Sequence, residues 1–188
     1  IRKTRELRSQ ITEVLTTDEI EARLKDMGFT KRELRDFQLR DLSHLLALSN
    51  GANFSVPGAG KTTVTFALHM LTRQPGHHFI VVAPKAAFQA WMDIVDECMV
   101  EDAPDGGSEP FTLLVGSEEE TRKALRSGAT RFIISYDMVI RQQGLLASHF
   151  ATTPTHLVLD EAHRMKAGWQ SQRGAFFLRT ADDPVRRD

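Results

Sequence analysis

Hydrophobic and polar positions follow two different rhythms along the chain, and the change falls near residue 50. Before it the spacing is helical. Thr17-Asp18-Glu19-Ile20 reads as a helix start, with Thr17 or Asp18 as cap, and Gly28 as its stop. A second helix is predicted from about Lys31 to Ser49, because Leu34, Phe37, Leu42, Leu45, Leu46 and Leu48 recur on one face; Asn50-Gly51 ends it. Beyond that point short apolar runs at 53–56, 79–83, 111–115, 131–136 and 156–160 read as strands. Between them lie helix-length segments at 61–73, 86–99, 117–127 and 136–149, the third supported by a capping box of Ser117 with Glu120. Residues 101–110 have the composition of a solvated loop.

Alternating strands and helices imply a parallel sheet, since parallel neighbours need a crossover and a helix supplies it. The expected class is therefore α/β, with a mainly parallel sheet, helices on both faces and an N-terminal helical extension. Ligands of such sheets bind beyond the carboxyl ends of the strands, so the residues just after each strand are the candidates for chemistry.

Composition narrows the class without changing it. At 188 residues, 41% hydrophobic and 26% charged, the chain has ordinary globular usage and the length of one domain with at most an appendage. No apolar run approaches the roughly 18 residues of a membrane span, and the basic start is not followed by a signal-type stretch. Cys98 is the single cysteine, which excludes an internal disulfide and fits a reducing, cytoplasmic compartment. The formal charge of −1 hides an asymmetry: residues 86–121 hold ten acidic residues and no Lys or Arg, so the rest of the chain is net basic. Local Lys and Arg patches rather than net charge decide contact with a nucleic-acid backbone.

The first candidate site is Ser55-Val-Pro-Gly-Ala-Gly-Lys-Thr62, running straight into a predicted helix. Glycines at 58 and 60 let backbone amides turn toward phosphate oxygens, and the helix N-terminus adds its positive end. Pro57, Gly58, Ala59, Gly60, Lys61, Thr62 and Thr63 would form the cradle, with Lys61 on the β and γ phosphates and the Thr62 hydroxyl in a magnesium shell. Ser55 stands where the strict pattern has its first glycine. The second candidate is Asp160-Glu161-Ala162-His163, at the end of the last apolar run. There Asp160 would hold the metal and Glu161 orient an attacking water.

The two motifs together resemble the first RecA-like lobe of superfamily 2 helicases and translocases. Leu34-Arg-Asp-Phe-Gln38, Val82-Ala-Pro-Lys85 followed by Trp91, Ile134-Ser-Tyr-Asp137 and Asp160-Glu-Ala-His-Arg-Met-Lys166 are similar to segments of its SWI/SNF-type DNA translocases, in the same order, from about Leu34 to Leu178. The resemblance implies a RecA-like P-loop NTPase lobe over 34–188 behind a helical extension over 1–33. It implies ATP and Mg2+ as cofactors and ATP hydrolysis coupled to movement on duplex DNA through backbone contacts without sequence specificity. Gln38 would read the adenine edge, His163 would couple the nucleotide site to a second lobe, and Lys85, Ser135 and Tyr136 would face the nucleic acid.

Ala167 in place of an Asn, and Ser-Val-Pro before Gly58, depart from the eukaryotic remodelling enzymes and point to a prokaryotic relative, nucleoid-associated if bacterial. An initial Ile in place of Met points to a piece of a longer polypeptide. The second RecA-like lobe with its arginine fingers is expected outside the chain. A DEAH-type RNA helicase lobe and a non-catalytic nucleotide-responsive scaffold share the two motifs; Arg164-Met-Lys166 and the placement of Gln38 favour DNA. Trp91, Phe88 and Ile94 read as core, His77 and His78 as solvated turn residues, and the remaining histidines show no metal-ligand spacing.

Overall fold

A computed structural model describes residues 15–48, 50–53, 55–56, 58–162 and 176–177. The chain divides into two compact units, Ile1–Arg73 with Asp93–Ser108, and Gln74–Met92 with Glu109–Asp188. The helix Phe88–Cys98 contributes its first residues to the second unit and its last to the first.

The first unit is helical. Helix α1 (Thr17–Asp26) starts one residue earlier than its sequence cap implies: Thr16 accepts from Glu19 N through its hydroxyl, while the Glu19 carboxylate accepts from Thr16 N at 2.8 Å. The Thr16 N–H and the Thr16 hydroxyl both donate to the Glu19 carboxylate, and these two bonds hold it below its ordinary range. Helix α2 (Asp36–Leu46) is shorter than the predicted 31–49. The reason is tertiary: Phe29 bridges Met99, and the N–H groups of Thr30 and Lys31 both donate to the Cys98 carbonyl, which holds that stretch in a non-helical path. Helix α3 (Lys61–Thr72) packs against α1 and α2. Ile20, Leu24, Leu39, Leu42, Val64, Phe66 and Met70 form the core of this unit, with the Phe29 ring 6.2 Å from that of Phe66. Each such burial is worth about 1.5–3 kcal/mol.

The second unit holds the sheet. Strands β1 (His78–Ala83), β2 (Thr112–Leu114), β3 (Arg131–Ser135) and β4 (Thr155–Leu159) pair in parallel in the order β2-β3-β1-β4. Phe88–Cys98 is helix α4, and α5 (Glu118–Leu125), α6 (Tyr136–Arg141) and α7 (Gln143–Thr152) follow. One sheet face presents Ile80, Val82, Phe132 and Ile134 to Leu125, Val139 and Leu146 of the helices. The other presents Phe79, whose ring meets Trp91 of α4 and Phe111 edge-on or tilted at 6.1 and 5.5 Å. The described residues are therefore α/β with an all-parallel four-stranded sheet, whose central strands β1 and β3 are buried on both faces while β2 and β4 at the edges are only partly covered.

Several sequence expectations change here. The run 53–56 is not a strand at any described residue: the Asn53 side chain accepts from Ser55 N at 2.9 Å and the Ser55 hydroxyl donates to Asp41, a local turn that takes the backbone group a ladder would need. The predicted helix 136–149 is two helices, parted at Gln142 (φ −119°, ψ 26°), whose amide donates to the Gly116 carbonyl. Ser117 does cap α5 with Glu120 as read from the sequence. His78 is the first residue of β1 rather than a solvated turn residue, and its ring lies 4.9 Å from that of His149. Among the described residues no helix is long and apolar enough to cross a membrane.

His156 sits on the Phe79 face, its ring 5.1 Å from that of Phe79, and burial pushes its pKa from 6.5 down to about 4. The unfolded chain therefore takes up this proton first as pH falls, so stability is fully present above about 6.5 and is drawn down between about 6.5 and 4. The loss is on the order of 2 kcal/mol. In urea unfolding at pH 7 and pH 4.5, His156→Phe should lose measurably less stability than the parent. Parallel losses would show that another group titrates.

Candidate functional site

The glycine loop belongs to the helical unit. Gly58 (φ +82°) and Gly60 (φ +75°) both occupy the left-handed region, where a side chain is strained. A Cβ at Gly58 would meet no described residue within 4 Å, so this face of the loop is open among the described residues. At Gly60 a Cβ would run into the Gln38 amide nitrogen. Helix α3 begins at Gly60 without a side-chain cap and without an acidic residue in its first turn, unlike α1 and α5 with their capping boxes and carboxylates. Among the described residues no side chain caps its amino end.

Lys61, partly buried, donates from Nζ to the Ser55 carbonyl at 2.9 Å, so the side chain closes the loop on itself. Gln38 is not on a solvated helix face. It is buried, its Oε1 accepts from Arg35 N and its Nε2 donates to the Ala59 carbonyl, both at 2.9 Å. One side chain therefore ties the start of α2 to the glycine loop, and one amide hydrogen remains for a ligand. Beside it, Glu33, Leu34, Arg35, Asp36, Phe37 and Arg40 line an open hollow of about 580 Å³. Thr62 is half-buried at the start of α3, whereas Thr63 is buried and its hydroxyl accepts from Arg32, which also pairs with Glu97 at 2.6 Å. Thr63 is thus engaged from within the protein, by an arginine the sequence did not single out. Pro57 lies outside the described residues.

The acidic pair belongs to the sheet unit. Register places Ala83 beside Ser135 and Val82 beside Leu159, so Lys85, Ser135-Tyr136 and Asp160-Glu161 share the carboxyl rim of the sheet. Connections run from β1 outward to β2 and from β3 to β4 on the other side, which puts the reversal of strand order between β1 and β3, at that rim. Asp160 is held three ways: its N–H donates to the Val82 carbonyl at 2.9 Å, its carbonyl accepts from the Tyr136 hydroxyl at 2.7 Å, and its Oδ2 accepts from the Trp91 indole at 2.9 Å. Glu161 follows at φ +55° and is exposed.

Ser135 and Tyr136 are buried. The Ser135 hydroxyl caps α6 by accepting from Met138 N, and the Tyr136 hydroxyl is spent on Asp160. Lys85 alone of the three is exposed, in a short 3-10 turn after Pro84. Trp91 is core, as its sequence position implies, but its indole bond to Asp160 spans 69 residues and has no signature in spacing. His163 and Arg164 to Ala167 lie outside the described residues.

Among the described residues no group of three or more His, Cys, Asp or Glu could hold a metal ion. A single carboxylate such as Asp160 suits Mg2+ when most of the remaining oxygens come from the ion's own phosphate ligand and water. No protein-family model matches the chain, and no curated protein matches it.

The Gly60–Gln38 contact yields a measurable coupling. Gly58→Ala should cost about 1–2 kcal/mol for the left-handed backbone alone, and Gly60→Ala more than that because Gln38 must also leave. Removing Gln38 first should shrink the Gly60→Ala cost in an equilibrium-unfolding double-mutant cycle. Additive effects would show that the two groups do not meet.

Proposed function

We propose that this chain is the ATP-binding, first RecA-like lobe of a SWI/SNF-type DNA translocase, which hydrolyses ATP with magnesium to move on duplex DNA. The observation that carries it is the loop from Gly58 to Lys61: two left-handed glycines, one open face, and an uncapped helix start that bears Lys61 and Thr62. Further support comes from Gln38, which braces that loop from the segment that resembles the adenine-reading motif, and from Asp160-Glu161 at the carboxyl rim of a parallel sheet. ATP hydrolysis needs positioning and charge stabilisation rather than covalent chemistry from the protein. In this proposal the loop amides and Lys61 bind the phosphates, Lys61 exchanging the Ser55 carbonyl for them. Thr62 from the loop and Asp160 from the rim are the residues the resemblance offers as metal ligands; a bound metal would supply positive charge beside the phosphates, and Glu161 would orient water.

A second RecA-like lobe is the proposed partner, because the arginine finger it would bring is worth roughly a thousandfold or more in rate. The chain by itself should accordingly bind ATP but turn it over negligibly, and DNA-stimulated turnover by these 188 residues would overturn that division of labour. DNA is the proposed track, and Lys85 is its proposed contact.

Lys61→Ala should weaken binding of a fluorescent ATP analogue in Mg2+ by at least about tenfold, the loss of a charge-assisted phosphate contact. Equal affinity in the variant would remove the loop from the nucleotide site. For the track, affinity for a random-sequence duplex should fall as salt rises, and Lys85→Ala should lower the slope of log K against log salt by about 1. A preference for single-stranded RNA over duplex DNA would move the chain to the RNA-helicase alternative.

A further inference from the structure

Asp160 is constrained more tightly than the end of a strand demands. Its main chain is fixed on both sides, by the Val82 carbonyl and the Tyr136 hydroxyl, and its side chain is fixed by the Trp91 indole. Trp91 in turn has little freedom: it is 2% exposed, and its ring meets Phe79 and Phe111 edge-on at 6.1 and 5.9 Å. A buried indole N–H needs an acceptor, and a neutral carbonyl would serve. Here the acceptor is one oxygen of a carboxylate at the rim, immediately before the left-handed Glu161.

We propose that Trp91 is a positioning residue for a divalent cation: by holding Asp160 Oδ2 it fixes the plane of the carboxylate and leaves Oδ1 as the oxygen offered to the metal. This rests on the function proposed above. The chemical sense is that of an outer partner of a metal ligand, which limits rotation of the ligating group before the ion arrives and so lowers the entropy lost on binding. Tyr136 does the same for the main chain, since its hydroxyl anchors the carbonyl of the residue whose side chain ligates. A Trp91 that merely satisfies its own N–H would leave metal affinity unchanged when removed, and this separates the two roles.

The test uses the whole chain with Trp169→Phe, which leaves Trp91 as the sole tryptophan, and takes Mn2+ and the non-hydrolysable nucleotide AMP-PNP as probes. The indole 15N–1H resonance of Trp91 should shift in Asp160→Ala, which reads the bond without any ligand. Mn2+ with AMP-PNP should broaden that resonance in the parent and leave it sharp in Asp160→Ala. Trp91→Phe, which keeps an aromatic ring against Phe79 and Phe111, should weaken Mn2+ affinity about tenfold, while AMP-PNP affinity in EDTA changes by less than about twofold. Unchanged Mn2+ affinity in Trp91→Phe overturns the positioning role, as does an equal loss of metal-free nucleotide binding, which would mark general damage. A resonance that stays sharp in the parent with AMP-PNP and Mn2+ bound also overturns it, and leaves nucleotide binding standing. Failure of the parent to bind AMP-PNP at all overturns the function proposed above, and the positioning role with it.

Discussion

The backbone ladder of β1 is the constraint from which the acidic rim follows. Its residues pair with β3 on one side and β4 on the other, so each strand is fixed in register by a shared neighbour. A parallel strand cannot slip by one residue without turning its buried side chains to the wrong face. Ile80 and Val82 face one set of helices while Phe79 faces Trp91 and Phe111, so both faces of β1 enforce the same register. Once that is set, Asp160 must emerge one residue beyond Leu159, within reach of the Val82 carbonyl, and the Tyr136 hydroxyl meets it from the start of α6.

The glycine loop depends on a different physics, that of backbone conformation. Two positive φ angles let the chain turn tightly between Ser55 and the first turn of α3, and the Lys61–Ser55 bond closes the circuit. Gln38 makes the turn part of the helical unit instead of a free loop: its carboxamide is shared between Arg35 and Ala59, and it occupies the space a side chain at residue 60 would need. The acidic pair relies on side-chain pinning instead. Trp91 and Tyr136 come from different segments and meet at one residue, so the clamp on Asp160 depends on tertiary packing throughout.

Local signals were legible where the chemistry is local. The Ser117–Glu120 box, the alternation of strands with helices, and the glycines that turn into Lys61 can all be read from neighbours in the chain. The misreadings share one cause. The 31–49 helix loses its first turn because Cys98, far along the chain, accepts from Thr30 and Lys31. The run 53–56 looks extended by its apolar residues, yet the Asn53 side chain and Asp41 claim the N–H and hydroxyl of Ser55. Ser135 and Tyr136 look like surface residues after a strand, but packing buries them and spends both hydroxyls inside.

By itself the sequence determined the α/β class, the place of the glycine loop ahead of a helix, and the acidic pair after a strand, because periodicity, capping and left-handed glycines act over a few residues. Only the tertiary structure decided that Gln38 braces the loop, that Arg32 engages Thr63, and that Trp91 holds Asp160. Those pairings span 21, 31 and 69 residues. A polar side chain takes whichever partner the packed core brings within 3 Å or so, and no spacing rule encodes that partner.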